Sequence, residues 1–213
     1  MDISQLRREF TYAGLDREDL NPNPFRQFEV WFLQAEKAGL DQPNALSLAT
    51  ADAEGVVCVR TVLLKLFDED GFVFYTNYGS RKAQDIAANP NVALLFPWLL
   101  LDRQVKIQGR AEKVSTAQSL QYFTTRPRSS RLGAWSSAQS RVVSSRSLLE
   151  AEFEKLKEKF RGKDIPLPTF WGGYRVIPDT MEFWQGRENR MHDRFRYAKR
   201  EDDGAWWIER LAP

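Results

Sequence analysis

The chain has 213 residues, of which 42% are hydrophobic and 28% charged, the make-up of a globular protein of one domain or two small ones. Thirty-one Lys and Arg stand against 29 Asp and Glu, and a net charge of +2 is too small for a general polyanion binder. One His (His192) and one Cys (Cys58) exclude a tetrahedral Cys/His zinc site, a disulfide framework and a CxxC redox pair, and they suit a reducing, cytoplasmic location.

Residues 1–23 are polar and charged and read as a mobile N-terminal arm ahead of a single domain over 24–213. Their start carries no apolar signal-peptide core. The spacing of Phe28, Trp31, Phe32 and Ala35 predicts a helix over 25–40, with Gly39 where a C-cap belongs. Strand signals follow at 45–51 and 56–66, separated by Asp52-Ala53-Glu54-Gly55, and again at 72–76 after the turn Asp68-Glu69-Asp70-Gly71. Ser80 is placed to cap a helix over 81–88 that Asn89-Pro90 ends. The run 92–101 is about half the ~20 residues of a membrane span and reads as a buried strand entering a turn. Residues 104–114 continue the strand pattern, and 116–124 look helical.

The clearest amphipathic helix is expected at 147–160, with Leu148, Leu149, Phe153, Leu156 and Phe160 on one stripe. Short strands at 173–177, 181–184, 194–197 and 205–209 complete the chain, the last two joined by Asp202-Asp203-Gly204. The sum is a mostly antiparallel β protein, a barrel with a few helices packed outside.

Charge is unevenly distributed. From Val114 to Leu149 there is no Asp, Glu or Lys, but there are five arginines and ten serines. Arg with hydroxyls suits phosphate, because guanidinium can make two charge-assisted bonds to one group. The same composition also fits a solvated basic loop or a nucleic-acid patch. A second anion candidate is Tyr75-Thr76-Asn77-Tyr78-Gly79-Ser80-Arg81-Lys82, where a strand ends and a helix starts with two cations; a plain capped surface helix is its structural alternative. It is not a P-loop, since GxxxxGK[ST] is missing. Arg60 and Lys65, five apart, fall on opposite faces of a regular strand. In extended backbone Arg190, His192 and Arg194 share one face. A Ser-His-Asp triad has no GxSxG elbow to support it.

Taken together these segments carry a resemblance. Arg60-Thr-Val-Leu-Leu-Lys65, Phe74-Tyr-Thr-Asn-Tyr-Gly-Ser-Arg-Lys82, Leu94-Leu-Phe-Pro-Trp98, Tyr122-Phe-Thr-Thr-Arg-Pro-Arg-Ser-Ser130, Phe170-Trp-Gly-Gly173, Arg190-Met-His192 and Arg210-Leu-Ala-Pro213 resemble, in order, the signatures of the pyridoxine/pyridoxamine 5′-phosphate oxidase family. The resemblance implies an antiparallel, Greek-key-like FMN-binding split β-barrel with peripheral helices. It also implies a homodimer with FMN at the subunit interface, and oxidation of pyridoxine 5′-phosphate or pyridoxamine 5′-phosphate to pyridoxal 5′-phosphate with O2 as acceptor. Neither nucleic acid, membrane nor metal is expected.

By the same resemblance Arg60, Tyr75, Thr76, Arg81, Lys82, Gln104, Gln139, Ser140, Trp184 and Arg194 hold FMN. Lys65, Tyr122, Arg126 and Ser130 clasp the substrate phosphate, Arg7 folds over the substrate, and Arg190 and His192 meet its pyridine ring as the catalytic pair. Phe10, Gln42, Arg187 and Asn189 depart from the family pattern on the substrate side. A non-catalytic FMN-binding split barrel or a flavin reductase of the same superfold is the alternative. A nucleic-acid-binding barrel is the rival from another class.

Overall fold

The computed structural model describes residues 14–213 apart from 138, 141 and 201. Nine strands form one antiparallel sheet: β1 (Ala45–Ala51), β2 (Val57–Leu63), β3 (Leu66–Asp68), β4 (Gly71–Asn77), β5 (Asn91–Trp98), β6 (Arg103–Lys113), β7 (Trp171–Gln185), β8 (Asp193–Lys199) and β9 (Trp206–Leu211). Their order is β2-β1-β5-β6-β7-β4-β3, with β8 on the far half of β7 and β9 beside it. This is the mostly β split-barrel architecture expected. Five helices surround it: α1 (Pro24–Lys37), α2 (Arg81–Ala88), α3 (Thr116–Thr125), α4 (Arg128–Ser136) and α5 (Arg146–Lys159).

Strand β7 organises the sheet. Along one side it pairs with β6; on the other its first half takes β4 and its second half takes β8. The sequence suggests two strands here, broken at Pro178. The chain instead runs through, because β6 shifts register between Gln108 and Gly109, opposite Pro178. Only glycine fits that crossing: a Cβ at Gly109 would lie 2.0 Å from the Ile177 carbonyl oxygen.

Two apolar clusters hold the fold together. The barrel core packs Phe28 and Trp31 of α1 against Phe72, Phe96, Val105 and Phe183. Leu15 and Leu20, from the start of the described chain, belong to this core as well. A satellite cluster joins Phe123 of α3, Leu132 of α4, Leu156 of α5 and its C-cap Phe160 to Trp171. It fixes three helices beside the start of β7.

Helix α4 has no counterpart in the sequence reading. Its composition, Arg-Ser-Ser-Arg-Leu-Gly-Ala-Trp-Ser, has little helical periodicity, and the burial of Leu132 and Ala134 stabilises it. The stripe of α5 is half right. Leu156 and Phe160 are buried, whereas Leu148 and Leu149 are 57% and 42% exposed. Among the described residues no helix is long and apolar enough to cross a membrane.

Candidate active site

A cavity of about 530 Å³ opens where β2, β4, α3 and α4 meet. It brings together nine of the residues singled out from the sequence: Arg60, Lys65, Tyr75, Thr76, Lys82, Tyr122, Arg126, Ser130 and Gln139. Its volume is that of an ordinary small-molecule or cofactor site.

Arg60 and Lys65 reach the same cavity, against the opposite-face expectation. Strand β2 stops at Leu63, and the Leu64 amide still bonds back to the Asn44 carbonyl. The next amide, Lys65, donates to the Val73 carbonyl on β4 at 2.9 Å. The chain turns a corner between the two, so strand alternation no longer applies.

The cavity is cationic. Arg60, Lys65, Lys82 and Arg126 line it, and no acidic side chain does among the described residues. Arg60 is set from behind: Nη1 donates to the Leu48 carbonyl at 3.1 Å and to Thr50 Oγ1 at 2.7 Å, while Nη2 lies 3.6 Å from buried Asp85. Burial alone would raise the Asp85 carboxyl; the Thr50 and Arg81 hydrogen bonds and the two arginine charges outweigh it and keep it low. Lys82 Nζ meets Gln139 Oε1 at 2.9 Å, Thr76 Oγ1 at 3.1 Å and Ser80 Oγ at 3.4 Å, all neutral oxygens. Burial, then repulsion from Arg60, pushes the Lys82 ammonium below its usual range.

Arg126 is the most exceptional of the four. Its guanidinium lies over the Trp171 ring at 4.7 Å, and Nη1 is buried with no hydrogen-bond partner among the described residues. Burial disfavours its charge. A buried, unpaired guanidinium N–H is costly unless a ligand completes it, and an anion is the matching ligand. Beside it, Tyr75, Tyr122 and Trp171 form a stack, with ring centroids 4.0 Å apart for the two tyrosines and 5.4 Å for Tyr75 and Trp171. Gly173 makes room for it, since a Cβ there would press on the Tyr75 ring at 2.9 Å.

Other predicted residues lie elsewhere. The Arg81 guanidinium turns to Asp52 at 2.6 Å and Asp85 at 2.7 Å, while its backbone amide donates to Ser140 Oγ at 3.2 Å. Ser80 holds the N-cap position of α2, yet its hydroxyl makes no capping bond. Gln104, Trp184 and Arg194 sit in one cross-strand row over β6, β7 and β8. His192 packs on Trp184 with centroids 4.6 Å apart. Along β7, Trp184 lies eleven residues beyond Gly173, the partner of Tyr75, which is about 35 Å of strand. None of Gln104, Trp184 and Arg194 is among the described residues that line the cavity.

Arg190, His192 and Arg194 do not share an extended face. Residues Glu188–Arg190 form a 3₁₀ turn in which Asn189 and Arg190 have φ of 54° and 59°. Arg7 lies outside the described residues, as do Phe10 and Arg141.

The arginine-rich stretch divides between the cavity and the exposed surface. Arg128 donates to the Lys163 and Phe160 carbonyls, Arg146 pairs with Glu150, and Arg126 turns into the cavity. Trp171, under Arg126, and Asp85, behind Arg60, were not picked out from the sequence as site residues. Asp85 had a signal, since it stands four residues after Arg81 on a helix.

The model of a family described as pyridoxamine 5′-phosphate oxidase matches residues 32–160, and that of the pyridoxine 5′-phosphate oxidase C-terminal dimerisation region matches 171–213. The chain belongs to the pyridoxamine 5′-phosphate oxidase family. A pyridoxine/pyridoxamine 5′-phosphate oxidase of Crocosphaera subtropica is 66% identical, and one of Rippkaea orientalis 61% identical, each with 100% of both chains covered. Among solved structures, PhzG of Burkholderia lata, in complex with tetrahydrophenazine-1-carboxylic acid, superposes with a TM-score of 0.89 at 26% identity. That match covers 97% of this chain and 100% of PhzG.

Proposed function

We propose that this chain, a pyridoxine/pyridoxamine 5′-phosphate oxidase by family, binds FMN and the substrate 5′-phosphate side by side in the cationic cavity. The observation that carries the reading is the buried, unpartnered Nη1 of Arg126 in a cavity with four cations and no acid. One phosphate, carrying about −1.5 to −2, would leave about half of that charge uncompensated, whereas two phosphate-bearing molecules match it.

The residues divide into two groups. Arg60, Lys82, Thr76 and Gln139, joined through the Lys82 hydrogen bonds, would hold the FMN phosphate, together with Ser140 and the Arg81 amide. Lys65, Tyr122, Arg126 and Ser130 line the same cavity and would hold the substrate phosphate. A plain flavin binder has no use for this second group. When bound, FMN supplies the acceptor for the hydride and passes the electrons to O2, giving H2O2. For the amine the balance is R–CH2–NH2 + O2 + H2O → R–CHO + NH3 + H2O2; for the alcohol it is R–CH2OH + O2 → R–CHO + H2O2.

The protein's part is positional. The clasped phosphate fixes one end of the substrate, and Arg190 and His192 would orient the ring at the other. Because the row Gln104–Trp184–Arg194 does not line the cavity of its own chain, a second copy would supply it, with FMN at the interface of a homodimer. The exposed apolar side chains of β2, Val57 and Val59, lie beside the cavity on the edge such a partner would cover. A single free cysteine suits work in a reducing cytoplasm.

The test is spectral and kinetic. Purified protein is expected to carry a flavin absorbance and to consume O2 with pyridoxamine 5′-phosphate. A colourless protein that stays inactive with added FMN overturns the reading, and salt-sensitive binding to oligonucleotides would favour the nucleic-acid rival.

A further inference from the structure

The loop joining β7 to β8 carries Arg190 and His192, and it is held by a buried cluster centred on Asp193. Asp193 is 2% exposed. Its Oδ2 accepts the Leu15 amide at 2.9 Å and Arg187 Nη1 at 3.2 Å, and its Oδ1 pairs with Arg210 Nη1. Arg210 Nη2 continues to Asp16 Oδ1 at 3.1 Å and the Leu15 carbonyl at 3.4 Å. The Arg187 guanidinium also covers Gly14 so closely that a Cβ there would lie 2.4 Å from Nη1. Finally, the Arg187 amide donates to His192 Nδ1 at 3.1 Å.

A backbone N–H can only donate, so His192 Nδ1 must keep its lone pair and the ring proton belongs on Nε2. Protonating Nδ1 would set two N–H groups against each other. The charged groups acting on the ring are Arg190 on the loop and Asp193 beside it, with Trp184 of β7 against its face. Burial and Arg190 favour the neutral ring, and Asp193 opposes them. Between these anchors Asn189 and Arg190 occupy left-handed backbone, which non-glycine residues leave readily unless their surroundings hold them.

We propose that Arg187 is a positioning residue: its amide fixes His192 as the neutral Nε2–H tautomer, and its guanidinium locks the loop to the Gly14–Asp16 segment through Asp193. His192 then meets the substrate as a hydrogen-bond donor and not as a proton acceptor, because its one basic nitrogen is already engaged. This rests on the reading that the loop faces substrate in the completed site.

The chain has a single histidine, so its ring can be observed without assignment in ¹⁵N-labelled holoenzyme. The expected spectrum at neutral pH shows Nδ1 unprotonated and Nε2 protonated. In R187G the Leu15 amide is expected to exchange with solvent at least tenfold faster. The KM for pyridoxamine 5′-phosphate should rise several-fold, with kcat within twofold and flavin content unchanged. R187K, which keeps a cation for Asp193, should recover part of both effects. A ring protonated at Nδ1, or an unchanged Leu15 exchange rate in R187G, overturns the proposal. Should R187G fail to fold, the wild-type ring spectrum and the R187K exchange rate decide it. Wild-type protein with the expected spectrum and no oxidase turnover would refute only the functional reading.

Discussion

Replacing Arg126 by Ala separates binding from stability more cleanly than any other change in the cavity. The guanidinium contributes little to the ligand-free fold: Nη1 is buried without a partner among the described residues, and the main contact is the stacking on Trp171 at 4.7 Å. Losing that contact costs about 0.5–1 kcal/mol, while removing an unpaired buried polar atom returns a similar amount. The melting temperature of FMN-loaded protein without substrate should therefore move by less than about 3 °C. Toward a phosphate the balance differs, because each charge-assisted bond contributes roughly 1.5–3 kcal/mol. The KM for pyridoxamine 5′-phosphate should rise roughly 10- to 150-fold with a much smaller change in kcat. R126K should recover only part of this, since an ammonium cannot make the bidentate contact or stack on Trp171. Steady-state oxygen uptake and a thermal melt on the same preparation suffice. An unchanged KM would refute the placing of Arg126 on the substrate phosphate, and a large fall in melting temperature would refute the claim that it is structurally idle.

Four further outcomes follow from the geometry. Lys82→Ala should lose flavin on gel filtration, because Lys82 Nζ sits among neutral oxygens where a phosphate would be its one counter-charge; full flavin retention would remove it from that role. Asp193→Asn should destabilise the fold by about 1–3 kcal/mol, because the buried side chain loses its charge-assisted bonds while the half-exposed Arg187 and Arg210 are left to solvent. Burial alone would raise the Asp193 carboxyl, but the Leu15 amide, Arg210 and Arg187 hold it below its ordinary 3.8. The stability difference from wild type should thus be constant above that pH and shrink as pH falls through the folded-state value; a difference independent of pH would contradict the cause. The His192 ring, whose pKa burial and Arg190 lower, should titrate below pH 6.5, and an NMR midpoint at or above that value would show that the environment does not favour the neutral form. Co-expressing K82A with R194A should restore about a quarter of wild-type activity, because about half the dimers are mixed and each has one intact site. No recovery would mean that each chain builds its site alone.

How far the sequence could be read depended on whether a feature is local. Helix α1 and the turns at Gly39 and Gly204 are set by local spacing and by glycine at positive φ, and both were legible. Helix α4 was not, because Leu132 and Ala134 are helical for the sake of a cluster formed with Phe123, Leu156 and Trp171 from elsewhere in the chain. Arg60 and Lys65 were assigned to opposite faces because alternation is a strand rule, and the chain leaves the strand at Leu64. The extended face drawn through Arg190, His192 and Arg194 failed for the same reason at the 3₁₀ turn. The local excess of cationic and hydroxyl side chains, by contrast, was visible from composition, because a run of arginine and serine without acid is unusual whatever its fold. What composition could not supply was the partition of that run: one arginine in the cavity, one on backbone carbonyls and one in a surface ion pair.

The central claim is that the cavity is built for two phosphates, one on the cofactor and one on the substrate. Oxygen uptake by the FMN-loaded protein with pyridoxamine 5′-phosphate, set beside uptake with pyridoxamine at equal concentration, tests it directly. With two or more charge-assisted bonds of roughly 1.5–3 kcal/mol each at stake, kcat/KM for the unphosphorylated amine should be at least about 150-fold lower. Comparable turnover of the two would contradict the account.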